Sequence, residues 1–254
     1  MKVIAIIPAR YQSSRFPGKP LADISGKPMI WWVYNQVKKC KKIDDVYVAT
    51  DDTRIFDLCT AENINCIMTS ASHKTSTERA FEVSQKVNSQ LYVVVNGDEP
   101  LIDPDLIDSI VPEVMPTDDI FVSNLMTEIS NPVEVVDFTN IKVVTDCNSN
   151  ALFMSRSPVP YPKASIDYKY YKHVGVLIYN SAALAFFANT EKGYNEKIED
   201  VNELRFIEHG VKLKMITVEA HSLSVDTPKD LDFVREVVAN KILSGEISLP
   251  DRRN

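Results

Sequence analysis

Three short runs, "VIAII", "VYVAT" and "LYVVV", lack the polar and apolar alternation of a half-buried strand, and each stops at a polar turn: "PAR", "DD" and "NGDEP". Strands that are apolar on both faces must be covered on both faces, the condition of a parallel or mixed sheet held between helices. Helical spacing lies between the runs. Met29, Ile30, Trp32, Val33, Gln36 and Val37 follow Pro28, which suits a first helical turn, and Ile55, Phe56, Leu58 and Cys59 repeat the pattern, as do residues 78–87 and 104–114. The alternation predicts a three-layer α/β/α fold with a mixed, mostly parallel sheet.

The middle of the chain changes character. "IFVSNLMTEI", "IKVVTDCNSNALFMSRSP" and "KHVGVLIYNSAAL" read as more antiparallel strands, with "DCNSN" as a hairpin loop. Residues 158–171 are rich in proline and tyrosine and read as irregular, 198–208 as a helix, "KLKMITVEA" as a strand and 228–239 as a closing helix. A chain of 254 residues is within reach of one large domain with a single core.

Composition removes several function classes. A net charge of −7 argues against nucleic-acid binding, which depends on basic surface. No apolar run approaches the roughly 20 residues needed to span a bilayer, so membrane insertion is not expected. The apolar start at residues 3–7 is cut by Pro8 and is too short for a secretion signal, so a cytoplasmic location is expected. Cys40, Cys59, Cys66 and Cys147 lack metal-binding spacing and read as buried free thiols.

In a sheet of this kind the ligand cleft lies beyond the carboxyl ends of the strands, where the turns at 8–19, 96–99 and 226–228 are expected to meet. The first, "PARYQSSRFPGKP", concentrates Arg10, Arg15 and Lys19 in an acidic chain. It has no G-x-G-x-x-G, and Gly18-Lys19 is followed by proline where a P-loop needs Ser or Thr. It remains suited to a nucleoside triphosphate, whose roughly four negative charges call for guanidinium forks and an ammonium. Asp98 leaves a strand core directly, where a carboxylate needs a cation, and Asp226 precedes a helix. Taken singly, each acid is also an ordinary turn or cap residue; together they could hold magnesium against phosphates.

"IIPARYQSSRFPGKPLADISGKPMI", "VYVATDD", "VVVNGDEPLI", "NIKVV", "ALFMSRSPVPY", "KHVGV", "IEDVNELR" and "VDTPKDL" occur in that order, and the chain resembles the 3-deoxy-manno-octulosonate cytidylyltransferase (CMP-Kdo synthetase) family. The resemblance implies a nucleotidyltransferase, usually a homodimer, that joins CTP and a 2-keto-3-deoxy sugar acid with release of pyrophosphate. Residues 1–115 and 210–245 would form the nucleotide-binding core, and about 120–205 the sugar-binding and dimerisation region. It implies triphosphate binding by Arg10 and Lys19, with Pro8, Ala9, Ser13 and Arg15 in the same loop and Thr75 and Arg79 from "HKTSTER" also on the nucleotide. Asp98 and Asp226 would hold magnesium; with Arg10 and Lys19 they make the implied catalytic set. Asn96, Arg156, His173, Glu199 and Glu203 would line the sugar pocket.

The chain departs from the family pattern at Thr75-Ser76, where Ser-Gly is usual, at Asn96 for Gln, at Leu177 for Tyr and at Asn202-Glu203 for Glu-Gln. An added carboxylate at 203 and a lost hydroxyl at 177 would suit an amino-bearing analogue of Kdo. Two further alternatives stay open at this point: another sugar acid such as a nonulosonate, and a non-catalytic protein that binds CTP.

Overall fold

The computed structural model describes residues 1–12, 16–165, 167–220 and 223–248. The first apolar run is β1 (Val3–Ala9), followed by a 3-10 turn at Lys19–Leu21, the small hairpin β2 (Asp23–Ile24) and β3 (Lys27–Pro28), and α1 (Met29–Val37). β4 (Asp45–Thr50), α2 (Thr53–Ala61), β5 (Cys66–Met68), α3 (Ser76–Lys86), β6 (Leu91–Val95) and α4 (Pro104–Asp108) continue the alternation. β7 (Val122–Glu128), α5 (Pro132–Val136), β8 (Lys142–Thr145), β9 (Ala151–Ser155) and β10 (Tyr171–Asn180) form the more antiparallel part. The chain closes through α6 (Ser181–Asn189), α7 (Tyr194–Glu199), α8 (Leu204–Glu208), β11 (Lys214–Val218) and α9 (Pro228–Leu243).

Among the described residues nine strands share one sheet, in the order β11-β7-β10-β6-β1-β4-β5, with β8 and β9 joined to it through β10. β1 is parallel to β4 and β6, whereas β10 runs antiparallel to β6 and β7. The sheet is therefore mixed. Side chains of β1 alternate between two cores: Val3, Ala5, Ile7 and Ala9 pack with α1, α2 and α4, while Ile4 and Ile6 pack with α3, α6 and α8. Strands that are apolar on both faces are thus covered on both, as the uninterrupted runs require. A third cluster holds α9 against α1 and β2 through Leu231, Val234 and Val238.

Several boundaries differ from the sequence reading. The helix expected over 104–114 stops at Asp108, because Pro112 disfavours helical geometry at Val111 and offers no N–H. The helix expected over 198–208 is two helices, broken at Asp200, which sits in the left-handed region at φ 51°. α5 and α6 were not expected, although each has an asparagine cap, Asn131 and Asn180. All four cysteines are free, but only Cys40 and Cys59 are buried; Cys147 is exposed on the β8–β9 hairpin.

Candidate active site

Parallel pairing sets Ala9 beside Thr50 and aligns β1 with β6, so the turns after β1 and β6 leave the same edge of the sheet. There they border a cavity of about 780 Å³. Pro8, Ala9, Arg10, Gln12 and Lys19 line it from the first turn, Asn96, Gly97 and Asp98 from the second, and Asp226 from the segment before α9. Asp226 arrives by a backbone bond, Val225 N–H to Asp98 O at 2.8 Å. Three chain segments, the first and last of them more than 200 residues apart, thus share one opening.

Lys19 is the hub. Its Nζ donates to Val225 O at 2.8 Å and to Asp98 Oδ2 at 3.2 Å, and lies 3.7 Å from Asp226 Oδ1. The two carboxylate oxygens can be no farther apart than the sum of their contacts with that one nitrogen. Gly18, at φ 73°, turns the chain into the Lys19–Leu21 turn, and its N–H closes the loop on Tyr11 O at 2.8 Å. The Tyr11 ring is braced in turn by the Arg54 guanidinium, 3.2 Å from the ring centroid, which Asp52 holds through a two-point fork. Ser13 and Arg15 lie outside the described residues.

The opposite wall is the start of α3. Thr75 and Glu78 form a capping box, and Glu78 also accepts from Lys74 N–H at 2.7 Å. Arg10 donates to Lys74 O at 3.3 Å. Arg79 lines the cavity while only 1% exposed, bonded to Thr69 Oγ1 and 3.3 Å from Asp51 Oδ1. Burial pushes its pKa below the usual guanidinium value, against the pull of Asp51. In all, Arg10, Lys19, Lys74, Arg79 and Lys192 face Asp98, Asp200 and Asp226, a cationic excess inside a protein of net charge −7. Such a cleft concentrates anions.

Among the described residues no group of three or more His, Cys, Asp or Glu is placed to hold a metal. The pair Asp98 and Asp226 nonetheless fits magnesium: both supply hard oxygen donors, and both already converge on a protein cation, the Lys19 ammonium. A two-carboxylate set completed by phosphate oxygens and water is how magnesium is commonly held at phosphoryl-transfer sites.

Of the sugar-pocket residues expected from the sequence, Asn96 lines the cavity; Arg156, His173, Glu199 and Glu203 do not. Arg156 instead donates to Glu199 O at 2.6 Å, Asp200 O at 3.1 Å and Phe138 O at 3.1 Å. The Glu199 carboxylate accepts from Ser155 Oγ at 2.6 Å and Arg156 N–H at 2.8 Å. Lys142, fully buried, donates to the carbonyls of Asp137, Asn140 and Arg156. These bonds fix the break between α7 and α8. The wall there presents Lys192, Asp200 and Asn202; of these the sequence reading marked only Asn202, as a departure from the family pattern, and it ran one helix through Asp200 and Asn202. Glu203 is buried, and burial raises its carboxyl pKa. Leu177 is 4% exposed and packs in the core beneath α3 and α6.

His173 as a residue is half-buried, yet its Nδ1 is sealed from solvent and has no hydrogen-bond partner among the described residues. Burial, reinforced by the charges of Arg156 and Lys172, lowers its pKa from 6.5 to about 4. Between those values the unfolded chain binds more protons than the folded one, so folding stability falls as pH is lowered through that window. His173→Gln is expected to flatten the pH dependence of the thermal midpoint there. Equal slopes for variant and parent would show that the ring protonates freely in the folded protein.

A mixed sheet whose parallel strands end at a basic turn and two facing acids defines the chain as a nucleotidyltransferase-type α/β protein. The comparisons with known proteins sharpen that class. The pattern of the cytidylyltransferase family matches residues 4–216. The 3-deoxy-manno-octulosonate cytidylyltransferase of Syntrophotalea carbinolica is 40% identical over 240 residues, covering 91% of this chain and 96% of that protein. The Escherichia coli protein of the same name is 36% identical over 241 residues, covering 95% and 98%. A solved CMP:2-keto-3-deoxy-manno-octonic acid synthetase complexed with CTP superposes with a TM-score of 0.89 at 36% identity, covering 95% of this chain and 100% of that one. The chain belongs to the 3-deoxy-manno-octulosonate cytidylyltransferase family.

Proposed function

We propose that this protein transfers CMP from CTP to 3-deoxy-manno-octulosonate and releases pyrophosphate. The observation that carries the reading is the convergence of Asp98 and Asp226 on Lys19 in a cavity that also holds Arg10, Lys74, Arg79 and Lys192. The anomeric hydroxyl of the sugar attacks the α-phosphorus and gives up its proton to solvent; the new P–O bond forms as the bond from the α-phosphorus to the α,β-bridging oxygen breaks, and pyrophosphate leaves with that electron pair. Both reactants are anions. The protein's main task is therefore to orient them and cancel their repulsion, with no covalent intermediate required.

Arg10 and Lys19 stabilise the charge that grows on pyrophosphate, and Thr75 and Arg79 border the nucleotide, with Pro8 and Ala9 forming the floor. Asp98 and Asp226 would hold a magnesium ion, which when bound neutralises phosphate charge and lowers the pKa of the attacking hydroxyl. Asn96, Asp200 and Asn202 face the space beside the phosphate end, where the sugar acid fits. Arg156, Glu199, His173 and Glu203 shape that wall from behind. An amino-bearing substrate rested on Glu203 and Leu177; neither lines the cavity, so Kdo itself is the acceptor that this reading takes.

The test is pyrophosphate release with CTP, magnesium and a panel of 2-keto-3-deoxy acids. Turnover is expected with Kdo above every other acid. Preference for a nonulosonate would replace the acceptor, and CTP binding without release would replace the enzyme with a binding protein.

A homodimer in the cytoplasm is part of the same proposal. No helix among the described residues is long and apolar enough to cross a membrane. Val133, Val136 and Phe138, 68–70% exposed, and Leu152, 57% exposed, leave large apolar side chains open in the 120–205 region. Sedimentation is expected to give the mass of two chains, and Phe138→Glu is expected to shift it toward one. A single-chain mass for the parent would remove the dimer.

A further inference from the structure

We infer that Asn124, a fully buried residue of β7 outside the cavity, is a positioning residue that holds the bulge of β10 against which the Asn96–Asp98 turn rests. β10 pairs with β7 in two registers, His173 with Met126 and Leu177 with Asn124, so that three residues of β10 oppose one of β7 between them. This is a bulge, and a bulge leaves ladder groups unpaired. Asn124 answers for two of them: its Nδ2 donates to Val174 O at 2.8 Å and to Val176 O at 2.9 Å. Its own Oδ1 has no hydrogen-bond partner among the described residues. The amide thus serves the fold through its two donors, a combination that no aliphatic side chain of that size supplies.

Between the two tied carbonyls lies Gly175. Its carbonyl accepts from Asn96 N–H at 2.9 Å. A Cβ at Gly175 would stand 2.4 Å from Asn96 Nδ2 and 2.9 Å from its Cγ. Backbone and side chain of Asn96 are therefore both seated on the bulge. Asn96 opens the turn whose next two residues, Gly97 and Asp98, line the cavity, and Asp98 is held further by Val225 N–H and Lys19. The path runs Asn124, bulge, Gly175, Asn96, Asp98, through a hydrogen bond at each step that is not covalent.

The inference rests on the function proposed above, and turnover by the parent protein separates a failure of that function from a failure of this path. The experiment is a double-mutant cycle on steady-state kcat and KM for CTP, using Asn124→Leu, Gly175→Ala and the pair, with thermal midpoints recorded alongside. Asn124→Leu removes both donors; Gly175→Ala leaves them in place and displaces Asn96 directly. Each single variant is expected to lower kcat about 10- to 100-fold, the scale of a small misplacement of reacting groups, with KM for CTP changed much less. The pair is expected to be no worse than the weaker single variant, because both act through one contact. If Asn124→Leu gives no folded protein, Asn124→Ser takes its place in the cycle. A variant at 124 that melts earlier but keeps parental kcat below its midpoint would overturn the inference, as would losses that multiply in the pair.

Discussion

Asp98→Asn is expected to lower kcat about 10²–10³-fold, and Asp226→Asn by a similar factor, the usual scale for deleting one preorganised electrostatic group at a reacting centre. The substitution preserves shape and removes only charge. Two features make the loss fall on catalysis and not on folding. Asp98 and Asp226 keep side-chain exposures of 26% and 34%, so their contacts with Lys19 resemble surface pairs, which contribute little to stability. The backbone link from Val225 N–H to Asp98 O is untouched by either change and still brings the two turns together. What disappears is one of the two anionic ligands available to a divalent cation, and with it part of the force that lets a sugar carboxylate approach a triphosphate. Pyrophosphate release, measured with a magnesium titration, checks this. A near-parental kcat in either variant would take that residue out of the metal site, and recovery of the rate at high magnesium would show weakened metal affinity as the cause.

How much of this was legible in the sequence depended on how local each signal was. β1, β4 and β6 were readable because a parallel strand buried on both faces writes a continuous apolar run, and the turns after β1 and β6 followed from where such runs stop. Arg10, Lys19 and Asp98 were readable for the same reason: each sits in a polar turn directly after such a run. The wall made by Lys192 and Asp200, beside the Asn202 that the resemblance had marked, was not. Residues 198–208 keep helical spacing of apolar positions, and the break at Asp200 is held by Arg156, which donates to the carbonyls of Glu199 and Asp200 from 43 and 44 residues away. Tertiary hydrogen bonding overrode a local pattern that was correctly read. Asn124 was hidden in a different way, since a single asparagine within "FVSNLMTEI" looks like a polar interruption until the bulge of the neighbouring strand is known. The missed caps Asn131 and Asn180 were, by contrast, local signals available in "NPVEV" and "NSAAL".

Glu196→Ala is expected to be the most destabilising single change outside the central sheet, by about 3–5 kcal/mol, because it strands a buried cation. Arg205, 3% exposed, donates from Nε to Glu196 Oε2 at 2.8 Å and from NH2 to Oε1 at 2.6 Å, and Glu196 itself is 1% exposed. NH1 also donates to Phe187 O at 2.8 Å, and the guanidinium lies 3.7 Å from the Phe187 ring centroid. This one pair ties α7 to α8 and both to the end of α6, so it carries the segment that presents Lys192, Asp200 and Asn202 to the cavity. For a chain of this size each kcal/mol shifts the thermal midpoint by roughly 2–4 °C, which puts the expected drop at about 6–20 °C. Glu196→Leu combined with Arg205→Met is expected to recover much of it, since apolar groups of similar volume avoid the desolvation that a lone buried charge suffers. Calorimetry on the three proteins distinguishes the cases. If the single variant melts within about 2 °C of the parent, under 1 kcal/mol by the same scaling, the pair is not what joins the helices. If the double variant melts no higher than the single, the packing of α6, α7 and α8 depends on the ionic geometry itself and not merely on filling the space between them.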